Sequence, residues 1–239
     1  MTSVFEKDYP VFHFLCDERG ILRPSYLLGY MVEHAIGHEK NVFEESLDVM
    51  KMLHSWQVHF LLPIQKESVL RLRTWISEAK GFFIKREFDG FDESGEMVFF
   101  ATSRWLFLDP KKRRPVRIPK DMIEFFPMRE QSYFGKSLYF PKDLEKEKFM
   151  EFQVENNDID ENLHMNNAAY LSHVLKNYPR EWCEKKELRI LGIEYRKESI
   201  FGETLEVERS IMENDEYLFV EQSGENRVEM KFQWRERKE

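Results

Sequence analysis

Apolar and polar residues alternate along several segments of the chain, which predicts β-strands with one buried face. In VLRLRTWI (69–76), the leucines, the threonine and the isoleucine fall on one face, and both arginines fall on the other. Neighbouring segments have a similar strand-like composition. The first half therefore predicts three or four long antiparallel strands.

The same pattern occurs again in the second half. A shift of 135 residues pairs 69–76 with TLEVERSI (204–211), which alternates in the same way. The other paired segments are 56–63 with 191–198, 80–87 with 215–222 and, after a short gap, 97–108 with 227–234. The element order repeats together with the local pattern, which favours a duplication over chance similarity between strand-rich segments.

One helix precedes the strands in each half. Pro24 is typical of a first helical turn, and the residues after it carry an apolar stripe at helical spacing. A second stripe follows Asn166 and Asn167. The stripe positions are Leu28, Met31, Val32 and Ala35 in the first half and Tyr170, Leu171, Val174, Leu175 and Tyr178 in the second. A single helix packed against a curved antiparallel sheet satisfies each pattern, so each half is predicted to be an α+β unit.

Composition excludes several classes of protein. The chain has 239 residues, 42% hydrophobic and 33% charged, as expected for a globular protein of one or two domains. A net charge of -8 argues against nucleic acid as a partner. No apolar run reaches the roughly 18 residues of a membrane span. Two cysteines form no disulfide or zinc pattern, and the start has no signal-peptide pattern, so a cytoplasmic location is expected.

A different composition marks the middle of the chain. Residues 109–148 contain five prolines and the run KKRRPVRIPK (111–120), which has six basic residues and no acid. We therefore predict two domains, 1–125 and 151–239, with a linker at 126–150.

The segment NDIDENLHMNNAAY (157–170) concentrates polar chemistry. Asp160, Asn162 and His164 alternate along a lead-in predicted to be extended, so their side chains can share one face. The helix that follows would present unpaired N–H groups to a developing oxyanion. An acid, an amide and an imidazole beside a helix N-terminus suit acyl transfer, while a helix-capping segment is the structural alternative.

The first copy distinguishes these interpretations. Aligning the helix starts with a shift of 142 residues places Asp160, Asn162 and His164 against Glu18, Gly20 and Leu22, a set that lacks two of the three polar groups. The second copy is therefore predicted to be the one specialised for chemistry.

Paired motifs in both halves resemble the acyl-acyl carrier protein (acyl-ACP) thioesterase family of fatty-acid synthesis. In the second half these are DENLHMNNAAYL (160–171) and IEYRKES (193–199). In the first half they are Trp56, RTWI (73–76), KREF (85–88), ATSRWLFLD (101–109) and RRPVRIP (113–119). The resemblance implies a tandem hotdog fold, with two curved antiparallel sheets that each wrap around one long helix. The lack of a transit-like extension suggests a bacterial-type member.

The resemblance also implies a catalytic set of Asp160, Asn162, His164 and Glu198, with no cofactor and no metal. Glu198 would activate water or attack the carbonyl itself, and His164 would hold the attacking group and shuttle a proton. Asn162 would orient the nucleophile or the thioester, and Asp160 would fix Asn162 or the backbone at the helix entry. Ser199 stands where plant members commonly have cysteine, which weakens a cysteine–histidine scheme.

Two partners follow from the resemblance. The fatty acyl chain would occupy an apolar pocket in the first domain. The alternative, favoured for most of Phe82, Phe83, Phe99 and Phe100, is that these residues are plain core. The acidic carrier protein would dock on the basic run, with a solvated loop as the alternative. The docking residues would be Lys111, Lys112, Arg113 and Arg114.

The expected function is hydrolysis of fatty acyl-ACP with release of free fatty acid. An acyl-CoA thioesterase of the hotdog fold and a non-catalytic protein that binds acyl thioesters are the alternatives. A monomer and a homodimer both stay open, because two hotdog domains in one chain already supply each other's pairing surface.

Overall fold

A computed structural model describes residues 3–42, 50–118, 123 and 128–237. The chain divides into two compact units, Met1–Lys136 and Ser137–Glu239. This division falls inside the segment 126–150 assigned to the linker, and the predicted domain limits stay predictions. Residues 126–127 of that segment lie outside the described residues, as do Pro119 and Lys120 of the basic run.

Within residues 3–42, 50–118, 123 and 128–136, the first unit contains one long helix and five strands. In chain order they are β1 (Phe5–Pro10), α1 (Pro24–Val42), β2 (Met50–Phe60), β3 (Val69–Lys80), β4 (Phe83–Phe91) and β5 (Met97–Leu108). All neighbouring strands pair antiparallel, in the order β1-β3-β4-β5-β2.

The second unit contains five strands and two shorter helices. They are β6 (Glu147–Gln153), α2 (Asn167–Lys176), α3 (Arg180–Lys185), β7 (Lys186–Tyr195), β8 (Thr204–Met212), β9 (Asp215–Gln222) and β10 (Glu225–Glu236). Its sheet is also antiparallel, in the order β6-β8-β9-β10-β7. Replacing each strand by its counterpart in the first unit gives the same order.

The predicted repeat is confirmed strand by strand. The pairs from the 135-residue shift are β2 with β7, β3 with β8 and β4 with β9, and the gapped pair is β5 with β10. Both members of each pair occupy the same position in their sheets.

Both predicted helix starts are confirmed, but the second helix is not long. α1 begins at Pro24 and has 19 residues. α2 begins at Asn167, is capped by Asn166 and has only 10 residues. Tyr178, the last position of the predicted stripe, lies beyond its end and is followed by Pro179, the N-cap residue of α3. Proline at this place prevents one continuous helix, because a helix interior has no room for its ring.

A close approach of backbone and ring shapes the interior of the first sheet. Phe99 on β5 is fully buried, and a Cβ at Gly90 on β4 would overlap its ring. Glycine is therefore required at position 90 by packing. Phe82 is exposed at the turn between β3 and β4, so the four phenylalanines singled out in the sequence do not form one cluster.

Polar side chains occupy part of the interior between α1 and the first sheet. His34 and His38 are almost fully buried on α1. The His34 ring lies 3.1 Å from the Tyr9 hydroxyl, and His38 Nδ1 lies 2.8 Å from a guanidinium nitrogen of Arg86. Arg86 is buried as well and donates to Glu39 at 3.2 Å. The helix is thus attached to the sheet by hydrogen bonds as well as by apolar packing.

Among the described helices, none combines the length and the apolar character needed to cross a membrane.

The two buried histidines predict a loss of stability in mild acid. Burial, reinforced by Arg86, lowers the pKa of His34 to about 4 and that of His38 to about 3. Unfolded histidine binds its proton near pH 6.5, so acidification through the window from pH 6.5 to about 4 favours the unfolded chain. We expect each histidine to contribute roughly 3 kcal/mol at most to this loss.

Urea unfolding at pH 7 and at pH 4 measures the effect. The double variant His34→Gln/His38→Gln should lose less stability between these pH values than the wild type. His13→Gln, at an exposed position, should leave the pH dependence unchanged. Equal losses in the double variant and the wild type would contradict the assignment.

Candidate active site

The lead-in to α2 is a tight turn and not the extended segment that was predicted. The Asp160 N–H donates to the His164 carbonyl at 2.9 Å, which closes the turn. The Asp160 carboxylate accepts the backbone N–H of Asn162 at 2.8 Å and that of His164 at 3.4 Å. Asp160, Asn162 and His164 are therefore grouped by the turn that Asp160 closes, and not by strand alternation.

The first unit contains the same turn without the same chemistry. Asp17 donates to the Ile21 carbonyl at 2.8 Å, and its carboxylate accepts the N–H groups of Arg19 and Ile21, both at 2.9 Å. Burial acts to raise the pKa of the Asp17 carboxyl, but these bonds and Arg19 hold it below its usual range. Gly20, at φ +79°, provides the left-handed residue.

These bonds superpose the two turns at a shift of 143 residues, so the expected shift of 142 is wrong. Asp160 corresponds to Asp17 and not to Glu18, which means that both copies have the aspartate. The remaining pairs are Asn162 with Arg19, Leu163 with Gly20 and His164 with Ile21. The aspartate is therefore part of the fold's common turn, while Asn162 and His164 are specific to the second unit.

A second segment brings Glu198 to the turn. The Met165 N–H donates to the Ser199 carbonyl at 2.8 Å. Met165 directly follows His164 in one segment, and Ser199 directly follows Glu198 in the other. As a result, His164 Nε2 lies 3.3 Å from Glu198 Oε2. The His164 and Glu198 side chains are 23% and 36% exposed, so the pair is accessible to a substrate.

At the N-terminus of α2, two of the backbone N–H groups expected to be free are already hydrogen-bonded. The Asn166 side chain accepts the Ala168 N–H at 2.9 Å, and the Asn166 carbonyl accepts the Ala169 N–H at 2.9 Å. Both donors are used by the cap, so they do not serve a developing oxyanion. The exposed Asn162 amide donates to the Asp160 carboxylate at 3.5 Å, and its NH₂ group carries a second N–H on the same turn.

Sequence reasoning missed a second polar pair beside this turn. His173 Nε2 on α2 lies 2.9 Å from Asp158, and its ring stacks on Phe152 with centroids 4.2 Å apart. The Asp158 carbonyl also accepts the Asn166 N–H at 2.7 Å. Only the spacing of His173 from Asp158 across the helix start could have suggested this contact, which anchors the helix to the lead-in.

The basic run forms a turn at the end of β5. The Asp109 carboxylate accepts the N–H groups of Lys111 at 2.9 Å and Lys112 at 2.7 Å, and Asp109 and Arg114 are joined through their backbones. The four side chains from Lys111 to Arg114 are exposed. This turn belongs to the first unit, and the turn that contains His164 belongs to the second.

The arrangement at His164 and Glu198 combines an imidazole, a carboxylate and an amide at an accessible surface. Such a set can activate water or a carboxylate nucleophile and can bind a carbonyl oxygen. In the described part of the chain, no group of three histidine, cysteine or acidic side chains is placed to hold a metal ion.

Comparison with protein families matches almost the whole chain. Residues 4–126 match the acyl-ACP thioesterase N-terminal domain, and residues 141–236 match the C-terminal domain of the same family. An acyl-[acyl-carrier-protein] hydrolase (FATB3, chloroplastic) of Cuphea viscosissima is 32% identical over 54% of this chain and 33% of its own length. An oleoyl-acyl carrier protein thioesterase of Arabidopsis thaliana is 25% identical over 70% of this chain and 52% of its own. The matches thus span about half or less of these relatives.

Solved structures show the same fold. An acyl-ACP thioesterase from Bacteroides thetaiotaomicron superposes with a TM-score of 0.86 at 20% identity, covering 98% of both chains. A 12:0-ACP thioesterase from Umbellularia californica superposes with a TM-score of 0.80 at 19% identity, covering 99% of both. The fold of this chain is therefore of their hotdog type.

The shared aspartate turn predicts equal structural roles for Asp17 and Asp160. Asp17→Ala and Asp160→Ala each remove a carboxylate that accepts two backbone N–H groups, so each should lower the free energy of unfolding by about 1–2 kcal/mol. Urea unfolding measures both. Asp143→Ala, at an exposed position outside the turns, should change it by less than about 0.5 kcal/mol. A cost confined to one of the two turn variants would refute the equivalence.

Proposed function

This chain belongs to the acyl-ACP thioesterase family, and we propose that it hydrolyses fatty acyl-ACP and releases free fatty acid. The observation that carries the proposal is the 3.3 Å contact between His164 and Glu198. The corresponding residues of the first unit are Ile21 and Pro63, which have no acid–base chemistry. The second unit thus adds a reactive pair to a backbone that does not need it.

In the proposed reaction, Glu198 accepts a proton from water as the water oxygen attacks the thioester carbonyl. His164 orients Glu198 and the attacking group, and it passes the proton from Glu198 to the departed thiolate, which restores the carboxylate. Asn162 binds the carbonyl oxygen, and collapse of the tetrahedral intermediate breaks the carbon–sulfur bond. The leaving thiol has an ordinary pKa near 8.5, so it departs with little protonation. Attack by Glu198 itself, followed by hydrolysis of the mixed anhydride, is the alternative route.

Asp160 has a different role in this scheme. Its carboxylate is bonded to the backbone of the turn in the same way as Asp17 in the first unit. We therefore assign Asp160 as a positioning residue that holds Asn162 and His164 in place.

The finer architecture is part of the proposal. Each antiparallel sheet is proposed to wrap around its helix as one of two tandem hotdog domains, a proposal supported by the repeated strand order. The first domain, with the longer helix, would hold the acyl chain. The cytoplasmic location expected from the sequence remains a proposal of the same kind, and a monomer and a homodimer both stay open.

Substitution of the reactive pair is the direct test. Glu198→Gln and His164→Gln should each lower kcat for acyl-ACP by about 10²–10⁴-fold while the protein stays folded, because each removes a proton-transfer group. Steady-state hydrolysis of one acyl group, presented on carrier protein and on CoA, measures the effect. Glu161→Gln, an exposed carboxylate in the same turn, is the matched control and should keep wild-type kcat.

The wild type must first hydrolyse the carrier-bound substrate. Faster turnover of the acyl group on CoA would assign acyl-CoA as the substrate in place of acyl-ACP. Binding of either thioester without turnover would identify the chain as a non-catalytic protein that binds acyl thioesters.

Charge reversal tests the carrier-protein surface. We propose that Lys111, Lys112, Arg113 and Arg114 bind the acidic carrier protein electrostatically. Lys111→Glu/Lys112→Glu should raise KM for acyl-ACP about 5–10-fold at low salt, and added salt should reduce the difference. Hydrolysis of an uncharged N-acetylcysteamine thioester should be unaffected.

Lys136→Glu/Lys142→Glu makes the same change in charge at two other exposed lysines and serves as the control. An equal rise in KM for both double variants would show that only net charge matters and would remove the docking assignment.

A further inference from the structure

A buried arginine lies directly beneath the segment that carries Glu198. Arg227, near the start of β10, is 4% exposed. Its Nη1 donates to the Glu198 carbonyl at 3.2 Å, and its Nη2 donates to Gln222 at 2.9 Å and to Glu203 at 3.3 Å. One guanidinium therefore joins the backbone of Glu198 to side chains of two neighbouring segments.

The backbone of Arg227 holds the same segment from the other side. Its carbonyl accepts the N–H groups of Arg196 at 2.8 Å and Lys197 at 3.2 Å. In the first unit the Val98 carbonyl accepts the N–H groups of Leu61 at 2.9 Å and Leu62 at 3.1 Å. Val98 is thus the counterpart of Arg227, because Leu61 and Leu62 correspond to Arg196 and Lys197.

This comparison separates what the fold needs from what the site adds. A buried valine is sufficient for the backbone contacts in the first unit. Burying a guanidinium costs free energy, and among the described residues the Arg227 Nε has no hydrogen-bond partner. The backbone contacts of the first unit are thus made without a charged side chain at this position. In the second unit the guanidinium forms ion pairs with Glu203 and Glu225, and it also donates to the Glu198 carbonyl.

A neighbour of Arg227 also carries a charged side chain that its counterpart in the first unit lacks. Glu203, which accepts from Arg227, also accepts the Ile200 N–H at 3.1 Å, and its counterpart is Ser68. Beside them, the Ser199 N–H donates to the Tyr170 hydroxyl at 3.1 Å. Polar side chains of the second unit thus hold the backbone from Glu198 to Ile200.

We propose that Arg227 is a positioning residue that sets the distance between Glu198 and His164 by holding the Glu198 carbonyl. The inference rests on the proposed thioester hydrolysis at that pair. Arg227 itself lies under the backbone and is not assigned any contact with substrate.

Arg227→Met tests the proposal, because it keeps length and removes the donors. We expect kcat for acyl-ACP to fall about 10–100-fold with KM within about 3-fold, since a misplaced reacting group costs rate more than binding. Arg73→Met removes a guanidinium from the buried Asp89 of the first unit and controls for general destabilisation. It should keep wild-type kcat.

A double-variant cycle distinguishes positioning from damage. In the Glu198→Gln background, Arg227→Met should lower the residual rate by less than about 3-fold, because the group that it positions is already gone. Equal fold losses in the two backgrounds, or a kcat for Arg227→Met within about 3-fold of the wild type, would overturn the proposal. If Arg227→Met does not fold, Arg227→Lys replaces it in the same cycle, since a single ammonium cannot span the three acceptors.

A spectroscopic readout keeps this test independent of turnover. In protein labelled at histidine, the His164 ring resonances, assigned with His164→Gln, should move in Arg227→Met in the same direction as in Glu198→Gln. Unchanged His164 resonances would reject the positioning role. If the wild type hydrolyses no thioester, the proposed function fails, and the resonances alone decide the role of Arg227.

Discussion

The site depends on one main-chain hydrogen bond, from the Met165 N–H to the Ser199 carbonyl. It joins two segments at the residues that directly follow His164 and Glu198, so it determines whether imidazole and carboxylate can meet. The equivalent bond in the first unit, from Leu22 to Ile64, joins segments without reactive groups. The fold therefore brings the two segments together in both units, and in the second unit these segments carry the proposed catalytic pair.

Polar side chains hold the backbone around the proposed reactive pair at two depths, and the one at the surface, Asp160, has the counterpart Asp17 in the first unit. At the surface, Asp160 holds the turn that contains Asn162 and His164. Below the surface, Arg227 holds the backbone of Glu198. The backbone bonds repeat between the units while the Arg227 side chain does not, which supports its proposed role in placing Glu198.

Periodicity was sufficient to predict the strands, their pairing between halves and both helix starts, because those features depend on local burial patterns. It did not find the aspartate turn, since Asp17 and Glu18 are adjacent acids and only the hydrogen bonds show which one closes the turn. The burial of His34 and His38 was also not predictable, because their partners Tyr9 and Arg86 lie on strands distant in sequence. The roles of Asp160, Asn162, His164 and Glu198 rested on motif resemblance, and the contact of His164 with Glu198 needed tertiary structure.

Leu163 gives the turn that contains His164 a conformational cost that its counterpart in the first unit does not have. It occupies a left-handed conformation, with φ +64°, where the first unit has Gly20, and its side chain is 75% exposed. A leucine in this conformation is disfavoured by about 1–2 kcal/mol relative to glycine. Leucine also restricts the backbone more than glycine does, both before and after folding. The turn that contains His164 therefore has fewer accessible backbone conformations than the turn that contains Asp17. Leucine at this position costs conformational energy, and it narrows the range of backbone motion beside His164 and Glu198.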